Sequence, residues 1–105
     1  MIELIQDNLA IVRSILKSLV PEYEIWAFGS RIAKTARKYS DLDLAIITDK
    51  PLDFSLLGQI RDTFSASDLP IKVDVLDWST LSDEFKGIIS SGYEAVQTPA
   101  KRMNG

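Results

Sequence analysis

The sequence contains no cysteine and no histidine, and each absence removes a class of chemistry. Without cysteine there is no disulfide framework and no thiolate metal site. Without histidine the commonest general base and metal ligand is missing. Any acid–base or metal chemistry must therefore come from carboxylates, lysine, tyrosine or water.

Long apolar runs are also missing, since no stretch approaches the roughly 20 residues that span a membrane. The first seven residues lack the basic start and apolar core of a signal peptide. A net charge of −3 gives no basic bias towards nucleic acid. We therefore expect a cytoplasmic protein that contacts no membrane and does not bind nucleic acid directly.

The chain of 105 residues is 46% hydrophobic, which predicts one domain over residues 1–105 with a loose tail at 98–105. Apolar periodicity and turn residues predict helices at 2–19, at 54–64 and from Ser79 or Thr80 to about Ser90, and strands at 23–28, 41–48 and 71–76. Residues 31–38 are predicted as a short helix or a loop, and 93–96 as a short strand or a segment packed over the core. This order indicates a small mixed α/β (α+β) fold whose helices cover one face of a β-sheet.

Three aspartates fall in phase on two of these strands. Ten residues separate the pair Gly29-Ser30 from Asp41, which opens a strand together with Asp43, and alternate strand residues point to the same face. Asp74 alternates in the same way on the next strand. We expect these three carboxylates to project from the open face, opposite the covered positions Leu42, Leu44, Ile46, Val73 and Val75.

Carboxylates held side by side repel, at a cost of roughly 4 kcal/mol for a separation of about 4 Å and an effective dielectric near 20. Either solvent screens them or a cation neutralises them, and Lys72 is the one basic residue in phase with them. Magnesium prefers oxygen ligands and often bridges carboxylates to phosphates. The pattern therefore predicts a cation site on this face.

Each feature also has an ordinary structural interpretation. An isolated Asp-x-Asp such as Asp41 and Asp43 is usually a solvated strand end, Asp74 could be a surface residue paired with Lys72, and the basic run 31–38 could be a solvated face. Turn or capping positions are expected for Asp49, Asp53 and Asp77. Packing positions are expected for Trp26, Trp78 and Tyr93.

Taken together, the Gly-Ser pair, the Asp-x-Asp pair and the third aspartate on a later strand resemble the nucleotidyltransferase superfamily related to DNA polymerase beta. The resemblance covers about residues 23–90. The short chain resembles the minimal nucleotidyltransferases of that superfamily. These are often encoded beside a small helical HEPN protein, and several act as MntA-type antitoxins.

The resemblance implies a metal-dependent enzyme that transfers AMP from ATP, with two Mg²⁺ ions, to a hydroxyl of a partner. It implies that Asp41 and Asp43 hold both ions, and that Asp74 holds the ion nearer the attacking hydroxyl and is a candidate to accept its proton. The implied partner is a HEPN ribonuclease toxin that is silenced by AMP on a tyrosine.

The nucleotide site that the resemblance implies lies at the Gly-Ser turn. Gly29 would let backbone amides approach the triphosphate, Ser30 would donate its hydroxyl, and Arg31 would brace a phosphate oxygen in the bidentate geometry that arginine favours.

Two other functions stay open from the sequence. One is a non-catalytic module that neutralises a partner by contact, with Ala45 and Ile47 on the open face as the contact patch. The other is a nucleotidyltransferase for a small-molecule acceptor such as an aminoglycoside, for which the sequence offers no acceptor domain.

Overall fold

A computed structural model describes residues 6–29 and 41–99 of the chain. In order, the elements are α1 (Gln6–Leu19), β1 (Glu24–Phe28), β2 (Leu42–Ile47), α2 (Phe54–Ala66), β3 (Val73–Asp77), a 3₁₀ turn (Trp78–Thr80), α3 (Asp83–Ser90) and β4 (Tyr93–Gln97). The predicted segment 31–38 lies outside the described residues. Of the predicted tail, positions 98 and 99 are described and exposed. Within the described ranges, no helix is long and apolar enough to cross a membrane.

The four strands form one mixed sheet in the order β3-β2-β1-β4. β1 runs antiparallel to both β2 and β4, whereas β2 and β3 are parallel and are joined through α2. Such a parallel pair requires a long crossover connection, which the helix supplies. The predicted mixed α/β sheet is confirmed, and residues 93–96 belong to a strand at its edge.

One face of the sheet packs against α1 and α2 around a continuous apolar core. Leu42, Leu44 and Ile46 are fully buried there, Val75 is 2% exposed, and Val73 packs against the same cluster from a half-buried position. Burying such side chains stabilises a fold by about 1.5–3 kcal/mol each. The predicted covered face is therefore confirmed.

The opposite face is not left open, and the expectation that the helices cover only one face is wrong. Ile89 of α3 is 1% exposed and forms a second cluster with Phe28 and Ala45. The physical reason is that this face also carries apolar side chains at alternate strand positions, which must be covered. Those packed against this second cluster include Trp26, Ile47 and Leu76.

The helix starts differ in how well they were predicted. Asp53 caps α2 as expected, since its carboxylate accepts a hydrogen bond from the amide of Ser55 at 2.7 Å. α3 begins later than predicted, because Ser82 is its cap and accepts from the amide of Phe85 at 3.1 Å. Residues 79 and 80 belong instead to the 3₁₀ turn that Asp77 caps.

Candidate active site

The centre of the site is a pair of aspartates on neighbouring strands. Asp43 of β2 and Asp74 of β3 are register partners in the parallel pair. Neighbouring strands lie about 4.8 Å apart, so the two carboxylates start from adjacent positions on one face. Asp43 is half-buried and the side chain of Asp74 is 43% exposed. Two strands therefore deliver these two acids together, as the sequence predicted.

Asp41 completes the acidic group from the residue before β2. It is exposed and lies two positions before Asp43. Burial, the Asp74 carboxylate and the Asp41 carboxylate, in that order, raise the pKa of Asp43 above its ordinary value. All three influences oppose charge on Asp43. The expected repulsion among these acids is thus present in the folded protein.

A lysine partly compensates this charge. The ammonium of Lys72 lies 3.8 Å from Oδ1 of Asp74, with a side chain that is 73% exposed. In residues 6–29 and 41–99, no three acidic side chains are placed so that they could hold one metal ion as they stand. One ion shared by all three acids would therefore require a side chain to reorient, and Asp74 is an acid with a competing partner. The carboxylate oxygens of this site suit magnesium, which takes oxygen ligands.

Gly29 follows β1 and lies against the acidic pair. Its φ angle of +84° is in the left-handed region that favours glycine. A Cβ atom there would collide with Oδ2 of Asp43 and would lie 3.3 Å from its Cγ. Glycine therefore serves both the turn and the space that the Asp43 carboxylate occupies. The other two predicted nucleotide-binding residues, Ser30 and Arg31, lie outside the described residues.

A cleft of about 830 Å³ runs past the acids along β3, which is an edge strand. It is lined by Asp43, Asp74 and Lys72 together with Arg61 of α2. Nη2 of Arg61 donates to the carbonyl oxygen of Val75 at 3.0 Å. Sequence reasoning missed this arginine, whose only signal was a basic residue beside the apolar positions of α2.

Asp77 is a structural residue, as predicted. Thr48 Oγ1 donates to its carboxylate at 2.5 Å, and the amide of Leu52 donates at 2.7 Å. Burial alone would raise the pKa of Asp77, but the hydrogen bonds from Thr48, Leu52 and Ser79 outweigh it and hold that pKa below its ordinary value. This carboxylate is fully engaged in joining β2, β3 and the 3₁₀ turn.

The aromatic side chains also pack as predicted. Trp26 stacks on Tyr93 with ring centroids 3.8 Å apart, and its edge meets Trp78 at 5.2 Å. The proposed contact patch of Ala45 and Ile47 is wrong. Ala45 is fully buried beneath α3, and Ile47 packs against the same cluster.

The geometry has counterparts in known proteins. The family model of polymerase beta nucleotidyltransferases matches residues 12–96, and this chain belongs to that family. A relative from Haemophilus influenzae, named probable protein adenylyltransferase MntA, is 52% identical over 97 residues, which is 92% of this chain and 85% of the relative.

Two solved structures share the fold. A toxin–antitoxin complex with AMP-PNP superposes with a TM-score of 0.70 at 24% identity, over 90% of this chain and 75% of that one. A tri-AMPylated Shewanella oneidensis HEPN toxin in complex with its MNT antitoxin gives 0.65 at 23% identity, over 89% and 72%. At these identities the likeness establishes the fold.

Proposed function

We propose that this chain is a protein adenylyltransferase that moves AMP from ATP to a hydroxyl of a partner protein, and that it acts as an antitoxin. The acceptor is a tyrosine of a HEPN toxin. The observation that carries the proposal is the in-register pair of Asp43 and Asp74 with the Gly29 turn against it. The name of the Haemophilus relative and the AMPylated HEPN toxin in the Shewanella complex support it.

The three acids are the proposed ligands of two magnesium ions. In this proposal Asp41 and Asp43 would hold both ions, and Asp74 would hold the ion nearer the acceptor. Bound in this way, the two ions would neutralise phosphate charge and favour loss of the acceptor's proton. Burial, and after it the Asp74 and Asp41 carboxylates, raise the pKa of Asp43, and a divalent cation would relieve the part that comes from the two neighbouring acids.

The nucleotide is proposed to enter from the β1 side of the acids. The backbone at Gly29 carries no side chain that would obstruct a triphosphate. Ser30 would donate its hydroxyl to a phosphate oxygen, and Arg31 would contact a second oxygen. ATP is the proposed substrate, in keeping with the AMP-PNP in the similar complex.

The reaction is a single displacement at phosphorus. The acceptor oxygen bonds to the α-phosphorus, the bond from that phosphorus to the bridging oxygen breaks, and pyrophosphate leaves. Asp74 receives the hydroxyl proton in this scheme. Its place on the edge strand, with a half-exposed side chain, leaves it reachable from outside.

The domain and its location follow the same proposal. The family match extends from the middle of α1 into β4, so we treat residues 1–105 as one nucleotidyltransferase domain. We place the protein in the cytoplasm, where ATP and a ribonuclease toxin would both be present.

Intact-mass spectrometry of the partner toxin, after incubation with this protein, ATP and magnesium, tests the proposal. We expect a gain of one or more AMP masses that falls to background in the double variant Asp41→Ala, Asp43→Ala. Asp49→Ala is the matched control, since it removes an exposed turn carboxylate, and it should retain activity. No gain with the native partner, or a double variant that still neutralises the toxin fully, would contradict the proposal.

A further inference from the structure

Lys72 sits among the acids of the site. Within the described residues it is the basic side chain that forms an ion pair with one of them, at 3.8 Å from Asp74. The carbonyl of Lys72 accepts from the amide of Leu42 at 3.0 Å, which ties the start of β3 to β2. Continuing the register back one step from Leu42 and Val73 places Lys72 opposite Asp41. Its ammonium pairs with Asp74, and its backbone lies beside that of Asp41.

We propose that Lys72 is a placeholder cation, which neutralises Asp74 in the metal-free protein and must release it when a divalent ion binds. The residue would thereby set the metal affinity of the site. This inference rests on the proposed function only in requiring that the acids bind a metal. It assigns to Lys72 a positioning role, since the ammonium acts through Asp74.

Two observations favour this role over an ordinary surface ion pair. Asp74 is the register partner of the half-buried Asp43, so the ammonium of Lys72 pairs with the acid that lies directly beside it. No three acids in the described part of the chain are yet arranged to share an ion. A lysine paired with Asp74 would hold this acid away from an ion shared with the other two.

Binding of Mn²⁺, used as a probe for Mg²⁺, tests the inference in the absence of nucleotide. Free Mn²⁺ is followed by electron paramagnetic resonance, and thermal unfolding is measured in EDTA. We expect Lys72→Met to bind Mn²⁺ about two- to fivefold more tightly, the range that an exposed ion pair is worth. In EDTA the same variant should unfold at a lower temperature, because Asp74 has lost its counterion.

Two further variants separate a local role from a change in net charge. Lys72→Arg keeps the cation and should stay within about twofold of the wild-type affinity, since an exposed arginine pair is worth as little as a lysine pair. Lys50→Met removes the same charge from an exposed turn. That turn lies beyond the far end of β2, roughly 20 Å from the acids at 3.3 Å per residue. The Mn²⁺ affinity of Lys50→Met should therefore equal that of the wild type.

Unchanged or weaker Mn²⁺ binding in Lys72→Met would overturn the inference, as would equal tightening in Lys50→Met. A wild type that binds no Mn²⁺ would overturn both this inference and the proposed metal site. Failure of AMP transfer, with tighter Mn²⁺ binding in Lys72→Met, would contradict the proposed function alone.

Discussion

Replacing Asp43 by asparagine should make the metal-free protein more stable. Asparagine keeps the size of the side chain and removes the charge that burial and the two neighbouring acids disfavour. Gly29 lies against this carboxylate without a side chain, so the amide fits the same space. The change therefore removes the disfavoured charge with little change in packing.

The magnitude follows from the strand spacing. Unit charges about 5 Å apart interact by about 3 kcal/mol at an effective dielectric of 20. The side chain of Asp74 is 43% exposed and pairs with Lys72, so solvent and the ammonium screen much of this. About 1 kcal/mol should remain. For a domain of this size that corresponds to a rise in Tm of about 4–8 °C.

The dependence on pH gives the sharper test. Because the pKa of Asp43 is raised, the folded protein holds a proton that the unfolded chain has released between the ordinary aspartate pKa and the raised one. Wild-type stability therefore falls as pH rises through this window, and the variant lacks that loss. The difference in free energy of unfolding between the variant and the wild type should be largest at neutral pH. It should disappear as the pH falls below the ordinary aspartate pKa. Asp77 contributes to the pH dependence with the opposite sign. Because its pKa is lowered in the folded protein, the stability that it contributes is lost as the pH falls through that folded-state pKa. Both proteins contain Asp77, so its contribution cancels in the difference between them.

The measurement is urea or thermal unfolding in EDTA, from neutral pH down to the acid limit of folding. Asp49→Asn removes an equal charge from an exposed turn and serves as the control. Equal or lower stability of Asp43→Asn at neutral pH would refute the reasoning. A stability difference that does not change with pH would also refute it, because packing rather than charge would then be responsible.

Two further substitutions probe the supports of the site. Gly29→Ala should cost about 1–3 kcal/mol through its strained φ. If the proposed function holds, ATP with magnesium should raise the Tm of the wild type, and this variant should lose that rise because the added methyl group displaces Asp43. Gly58→Ala in α2 meets no atom within 4 Å and should instead stabilise by about 0.5–1 kcal/mol. Asp77→Ala should cost about 2–4 kcal/mol, because Thr48 and Leu52 lose a charged acceptor. It should leave AMP transfer intact below its unfolding temperature, and a fall in transfer without unfolding would count against its structural assignment.

The sequence predicted the acidic group because strand periodicity is exact at two residues and does not depend on distant contacts. Asp41, Asp43 and Asp74 needed only the correct phase on two strands. The parallel pairing of β2 with β3 was not predicted from the sequence, although the helix between them is the kind of connection that such a pair requires. The turn glycine was recognised, although its contact with Asp43 depends on a backbone path that only coordinates describe.

The placement of α3 could not be predicted in the same way. Periodicity identifies Phe85, Ile88 and Ile89 as apolar but does not say which face of the sheet they meet. In the structure Ile89 is buried against Ala45, whereas Ile88 is 67% exposed. The cleft contact of Arg61 was missed for a related reason, since a long side chain reaches a backbone carbonyl 14 residues away.

The stability of the core explains why the acids remain close together. Asp43 stands between Leu42 and Leu44, which are both fully buried on the other face of the sheet. β2 is also held on both sides, by β1 and by β3. Moving the Asp43 backbone to escape repulsion would expose apolar surface, at about 25 cal/mol for each Å². Within the described residues, a proton on Asp43 or the ammonium of Lys72 can relieve the repulsion, as can solvent or a cation that enters the cleft. The core thus fixes the acids in the positions that the proposed metal–nucleotide site requires.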